Sequence, residues 1–128
     1  MNEKAVTSHV ILEAAQRDVT LLRNNSGGFY DKNNRFVRYG LGSFDEKDEM
    51  KSSDWIGWTP TLILPHHVGS FLPVFTAIEM KPDDWKFYNA DKRALHQKNF
   101  IDMVLKAGGN AGFAQNVADF KRIIKHEP

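Results

Sequence analysis

Pro73-Val74-Phe75-Thr76-Ala77-Ile78-Glu79-Met80-Lys81 is the stretch on which both fold and chemistry turn. It is rich in β-branched and aromatic residues and stops at Pro82, which predicts a strand over 73–81. Side chains two apart in a strand share a face, roughly 7 Å apart at about 3.3 Å of rise per residue. Glu79 and Lys81 therefore point the same way. Val74, Thr76, Ile78 and Met80 form the other face, whose composition predicts burial. The strand ends by presenting a carboxylate and an ammonium to one side. A carboxylate holds a hard divalent cation, and a lysine beside it orients water or stabilises phosphate charge. That layout suits metal-assisted phosphodiester hydrolysis. A same-face ion pair at a strand end is the plainer reading of so short a motif.

Downstream, 82–91 is polar and reads as a loop. Residues 92–107 read as a helix whose apolar surface is Leu95, Phe100, Ile101, Val104 and Leu105, with Gly108-Gly109 as its stop. Residues 112–115 form a short apolar strand, and 118–125 a closing helix with Phe120, Ile123 and Ile124 inward. Gln97 precedes Phe100, Ile101 and Val104 by three, four and seven residues, so it falls on the inward face of its helix. A buried amide needs partners, and a lysine, a water or a phosphate would serve; in a frayed first turn Gln97 would instead be solvated.

Upstream, 61–64 continues a strand or forms a separate edge, and 66–71 is a connection. A strand begins at Asp54-Trp55-Ile56-Gly57-Trp58 and is limited by Pro60. The charged stretch 44–51 reads as a loop, 35–43 as a strand, and the Asn, Ser and Gly residues of 24–28 as a turn. Residues 4–22 read as a helix carrying Val6, Val10, Ala14, Ile11, Ala15, Leu12 and Val19 at helical spacing, with a short strand beginning near Leu21. The order α-β-β-β-β-α-β-α implies an α/β or α+β fold, a mixed sheet with helices around it.

Asp54, at the mouth of an apolar strand, is placed to be a second metal ligand, although a turn or cap aspartate is the commoner occurrence. Arg23, Arg35 and Arg38 would contact phosphates if their strands adjoin the site, and are otherwise solvated surface arginines. His66-His67, adjacent in an extended stretch, point to opposite sides and read as a surface loop rather than a zinc site. There is no nucleophile-elbow pattern, no P-loop and no G-x-G-x-x-G.

Composition sets the outer bounds. The 128 residues suit one domain, 1–128. Hydrophobic residues make up 41% and charged residues 26%, which is ordinary globular usage. The chain has no cysteine, which removes disulfides, a thiol nucleophile and cysteine-containing zinc sites. No apolar run is long enough for a membrane span, and the N-terminal residues do not read as a secretory signal, so a cytoplasmic location is expected. The net charge of +1 excludes a broad nucleic-acid coat but not an enzyme that touches nucleic acid through a small site.

Four segments, RNNSGG (23–28), SSDWIGWTP (52–60), FTAIEMK (75–81) and QKNFIDMVLKAGGNAGFA (97–114), occur in an order that resembles the VRR-NUC family. These are virus-type replication-repair nucleases of the PD-(D/E)xK superfamily, and the resemblance spans about residues 10–120. It implies a restriction-endonuclease-like core, a central mixed β-sheet flanked by helices. It also implies Mg²⁺-dependent cleavage of DNA, with Mn²⁺ as a substitute. By position, Asp54 and Glu79 would be metal ligands with the Met80 backbone carbonyl as a third. Lys81 would position or activate water, and Gln97 would be a further site residue. Glu13 resembles the family's N-terminal helical carboxylate. Ser53 stands where the superfamily pattern has proline, and the interval from Lys81 to Gln97 is extended. The chain looks like small standalone members from phages or prophages. That resemblance implies a homodimer selective for branched DNA such as four-way junctions, working in a bacterial or phage-infected cell. A non-catalytic nucleic-acid-binding or assembly module on the same fold is the alternative from another class. A duplex nuclease with sequence preference shares the chemistry but needs base-reading side chains.

Overall fold

A computed structural model of the chain describes residues 2–25, 27–41 and 52–124. The stretch 44–51, read as a loop, residues 42–43 of the strand read over 35–43, residue 26 of the turn, and the last residue of the closing helix, Lys125, lie outside the described residues. The elements are α1 (Glu3–Gln16), β1 (Thr20–Arg23), β2 (Gly27–Tyr30), β3 (Phe36–Tyr39), β4 (Trp55–Trp58), a 3₁₀ turn (Pro65–His67), β5 (Thr76–Met80), α2 (Lys92–Lys106), β6 (Asn110–Ala114) and α3 (Val117–Ile123). The fold is mixed α/β with small sheets. Where the sequence leads one to expect a central sheet, the described strands pair as three two-stranded ladders. β1 pairs with β4 and β2 with β3, both antiparallel, and β5 pairs with β6 in parallel. The chain, read from sequence as one domain, divides into two compact units, Met1–Thr61 and Leu62–Pro128. No helix among the described residues is long and apolar enough to cross a membrane.

In the first unit, the Asn2 side chain caps α1 by accepting from the Ala5 N–H at 2.9 Å. The helix stops at Gln16 rather than near residue 22. Asp18 takes a left-handed conformation, φ 58°, which short polar side chains tolerate. The β-branched Val19 and Thr20 then lead into β1. The face of α1 that is half-buried carries Thr7, Ile11 and Ala14, while Val6, Val10 and Leu12 are exposed, contrary to the expected apolar surface. β1 and β4 pair with Leu22 opposite Ile56 and Arg23 opposite Trp55, and all of β4 is half-buried. β2, which the sequence reading takes as part of a turn, forms a hairpin with β3. Residues 61–64 form no strand, and Leu62, Ile63 and Leu64 are exposed.

The second unit is built on β5-α2-β6. Parallel strands need a crossover, and α2 provides it. Asp91 caps α2 by accepting from the Ala94 N–H at 3.1 Å. Ala94, Ile101 and Val104 are buried at helical spacing, while Phe100 and Leu105, expected on the apolar surface, are exposed. Gly108 ends the helix at φ +95°, a conformation that favours glycine. At Gly109 a Cβ would lie 2.7 Å from Val104 Cγ1 and 2.8 Å from the Phe75 carbonyl oxygen, so only glycine lets β6 enter beside β5 here. Asn116 caps α3 by accepting from the Asp119 N–H at 2.8 Å. α3 lays Ile123 against Gly112, while Phe120, expected inward, is 40% exposed. The buried hydrophobic residues among those described, Ala94, Ile101, Val104, Ala111 and Ala114, all belong to this unit.

The two faces of β5 differ from expectation. Val74, Thr76 and Met80 are exposed, Met80 at 71%, while Ala77, Glu79 and Lys81 are half-buried. Ile78, on the Met80 face, is half-buried. The reason is that α2 lies over the Glu79 face and supplies a polar partner there, so burial does not require an apolar side chain.

Candidate functional site

Glu79 sits near the C-terminal end of β5, opposite Phe113 of β6. Gln97, half-buried on the α2 face that carries Ile101 and Val104, donates from Nε2 to Glu79 Oε1 at 2.9 Å. This bond fixes which way the amide points, because the reverse orientation would set two acceptors against each other. Gln97 Oε1 is consequently buried with no hydrogen-bond partner. One amide thus binds the carboxylate through its nitrogen and keeps its own oxygen buried without a donor.

The backbone adds a third oxygen. Phe75 accepts from Asn110 N–H at 2.8 Å, and the Lys81 N–H donates to the Ala114 carbonyl at 2.9 Å, so these odd-numbered residues face β6. Successive residues of a strand direct their backbone groups to opposite sides. The Met80 carbonyl is therefore directed to the other edge of β5, which no strand among the described residues pairs.

Lys81 shares the Glu79 side of the strand but makes no ion pair with it among the described residues. Its Nζ lies 5.2 Å from the Trp85 ring centroid and 5.9 Å from that of Phe113, a cation–π arrangement. The two rings are 4.7 Å apart, with Phe87 beside both. Gln115 holds this platform, since its Nε2 lies within donating distance of the carbonyls of Pro82 (3.0 Å), Asp83 (3.2 Å) and Trp85 (2.7 Å). The sequence reading missed Trp85, Phe113 and Gln115. The only signal was the aromatic density of 85–88, WKFY. A cleft of about 370 Å³ opens at the C-terminal ends of β5 and β6, lined by Met80, Lys81, Ala114, Gln115, Val117 and Phe120. Ligands of parallel sheets bind outside that end of the strands.

The other sequence-predicted residues lie in the first unit. Asp54 is exposed immediately before β4, and its carbonyl accepts from the Asn24 N–H at 2.8 Å. Asn24 Nδ2 also lies 2.9 Å from both Ser52 Oγ and the Ser53 carbonyl, tying RNNSGG to SSDWIGWTP. The four quoted segments are thus joined two and two, by β1–β4 in one unit and by β5-α2-β6 in the other. Glu13 is exposed and bound to Arg17 Nε at 2.7 Å, an ordinary i,i+4 surface pair. Arg23 Nε donates to Asn25 Oδ1 at 3.3 Å, and Arg38 lies 5.5 Å from the centre of the Phe36 ring. Arg35 is exposed, and its backbone N–H donates to Asp31 Oδ1 at 2.8 Å.

His66 and His67 do not diverge as an extended stretch would make them. They fall in the 3₁₀ turn, their ring centroids are 4.0 Å apart, and His67 Nδ1 accepts from the Leu64 N–H at 2.9 Å. Among the described residues, no group of three or more His, Asp or Glu is placed to hold a metal ion. No family model, curated protein or solved structure matches the chain.

Proposed function

We propose that the chain is a divalent-metal-dependent DNA endonuclease with a restriction-endonuclease-like core, selective for branched DNA such as four-way junctions. The observation that carries this reading is the orphaned Oε1 of Gln97, on the amide whose Nε2 binds the Glu79 carboxylate. A buried acceptor without a donor is costly, and two oxygens of this kind suit a hard cation that prefers oxygen ligands. Glu79, Gln97 Oε1 and the Met80 carbonyl would hold Mg²⁺ or Mn²⁺, and Asp54 is the further metal ligand that the family resemblance implies. The ion, when bound, polarises a phosphate oxygen and lowers the pKa of water.

The protein's own groups do the rest. Lys81 carries its charge on an aromatic platform and is not neutralised by Glu79, so the ammonium stays available to phosphate charge that grows in the transition state. Gln97 orients the carboxylate. A bound cation would offset the Glu79 carboxylate where phosphate approaches, which would let a near-neutral protein bind DNA at this point. A homodimer would place two such sites for paired cuts in two strands, and the expected setting is the cytoplasm of a bacterial or phage-infected cell.

The test is cleavage of a four-way junction, flap, duplex and single strand with Mg²⁺ or Mn²⁺. Glu79→Ala and Lys81→Ala are expected to lower the rate about a hundredfold or more. Equal activity in the variants would overturn the site. The alternative reading is a catalytically silent nucleic-acid-binding or assembly module on the same fold. DNA binding indifferent to divalent metal, with no cleavage of any substrate, would establish it.

A further inference from the structure

The β2–β3 hairpin is exposed along its whole length: none of its eight ladder residues is half-buried or buried. Tyr30 is 69% exposed, Phe29 and Phe36 52% each, and Tyr39 51%. A lone two-stranded hairpin is marginal in water. This one is held by cross-strand ring pairs, Tyr30 with Phe36 at 5.3 Å and Phe29 with Tyr39 at 6.3 Å. Its tip is tied by Asp31, whose Oδ1 accepts from the Asn33 N–H at 2.9 Å and the Arg35 N–H at 2.8 Å. The rings that stabilise the hairpin therefore also stay open to solvent.

The register puts Tyr30, Phe36 and Arg38 on one face. Gly28, opposite Arg38, leaves the space that the tip of the Phe36 ring occupies. The Arg38 guanidinium lies 5.5 Å from the centre of that ring. Lys32 and Arg35 are exposed at the tip, so cations outnumber the single carboxylate, Asp31, within the hairpin. The acidic residues of 45–49 follow in sequence and lie outside the described residues. Exposed aromatic rings interleaved with cations are the chemistry by which unpaired nucleic acid is held. Bases stack on the rings whatever their sequence, and the cations take the phosphates.

We propose that the β2–β3 hairpin binds unpaired DNA bases, stacking them on Tyr30 and Phe36 while Arg38 contacts the backbone. DNA as the ligand rests on the nuclease reading. Duplex DNA hides the flat faces of its bases, whereas single strands and open branch points offer them.

The experiment measures binding of a fluorescent single-stranded oligonucleotide, its abasic counterpart and a duplex of the same length, all in EDTA so that no cleavage occurs. Tyr30→Leu keeps apolar bulk and removes the π face. It is expected to weaken single-strand binding about tenfold and to leave abasic and duplex binding unchanged. Arg38→Gln is expected to weaken all three and lower the salt slope by about one. Circular dichroism checks that each variant is folded. Where Tyr30→Leu unfolds, Tyr30→Phe must retain the wild-type preference for the oligonucleotide with bases. Equal single-strand affinity in Tyr30→Leu and wild type would overturn the proposal. So would a dimer mass that falls to monomer in folded Tyr30→Leu, which would make the hairpin a self-association surface. A parallel Mg²⁺ assay separates the two readings. Base-dependent binding without cleavage would end the nuclease reading alone, and cleavage with unaltered Tyr30→Leu binding would end the hairpin proposal alone.

Discussion

Gln97 Nε2 donates to Glu79 Oε1 at 2.9 Å, and the same amide leaves its oxygen buried without a donor. One bond therefore fixes a carboxylate and exposes a liability. In free energy the two effects oppose each other. A hydrogen bond to a charged group contributes about 1.5–3 kcal/mol, and an unsatisfied buried acceptor costs about 1–3 kcal/mol. Gln97→Met fills similar volume without either. Its unfolding free energy in EDTA is expected to match wild type to within about 1 kcal/mol, measured by calorimetry. Mg²⁺ is expected to raise the wild-type midpoint and not the variant's, and the variant's cleavage rate to fall roughly 10–100-fold, as for groups that orient metal ligands. A Mg²⁺ shift of equal size in both proteins would remove Gln97 from the site.

The inward side of Gln97 and the strand that carries Glu79 were legible because Gln97, Ile101 and Val104 repeat at helical spacing and β5 carries a strong strand signal, but Glu79 was not foreseen as the partner of the amide. Other features were hidden for identifiable reasons. The faces of β5 were misassigned because Ile78 and Met80 are apolar, and nothing in the strand announces that Glu79 has an amide partner eighteen residues on. The end of α1 was missed because Val19, Leu21 and Leu22 extend its apolar pattern through the Asp18 turn. β2 was missed because Gly27-Gly28 reads as a turn and a fully exposed hairpin has no apolar-polar alternation. Its available signal was the Asn-rich tip between GGFY and RFVRY. The Gln115 clamp leaves no periodic trace, since its acceptors are backbone carbonyls some thirty residues away.

Lys81 rests over Trp85 and Phe113 rather than on Glu79. Lys81→Met keeps the aliphatic stem on those rings and deletes the charge. The loss of stability is expected to stay near 0.5–1 kcal/mol, the worth of a cation–π contact at a partly open site. Cleavage is expected to fall about a hundredfold or more. In a Trp55→Phe, Trp58→Phe background, Trp85 emission is expected to change when Lys81 is replaced. An unchanged spectrum would place the ammonium away from the ring.

Gln115 reaches three carbonyls in the loop that follows Lys81. Gln115→Ala leaves those acceptors to water and frees Trp85. The expected cost is about 1–2 kcal/mol in urea denaturation. Near-UV circular dichroism should lose intensity because the Trp85 ring is no longer held against Phe113. A variant as stable as wild type, with an intact near-UV signal, would show that the loop is held by other contacts.

Gly109 makes the tightest demand on the second unit, because a Cβ there would meet Val104 Cγ1 at 2.7 Å and the Phe75 carbonyl at 2.8 Å. The first neighbour can rotate, but the second is backbone of the segment leading into β5, so the strands must separate slightly. Overpacking of this kind typically costs about 1–3 kcal/mol. Gly108→Ala meets no atom within 4 Å, and its penalty comes from φ +95° alone. It is expected to cost about 1 kcal/mol. The discriminating measurement is the double variant. Independent causes at neighbouring residues predict nearly additive loss in chemical denaturation, whereas a shared shift of β6 predicts less than the sum. Because Phe75 leads into the strand that carries Glu79, Gly109→Ala is also expected to lower cleavage more than Gly108→Ala does at equal folded fraction.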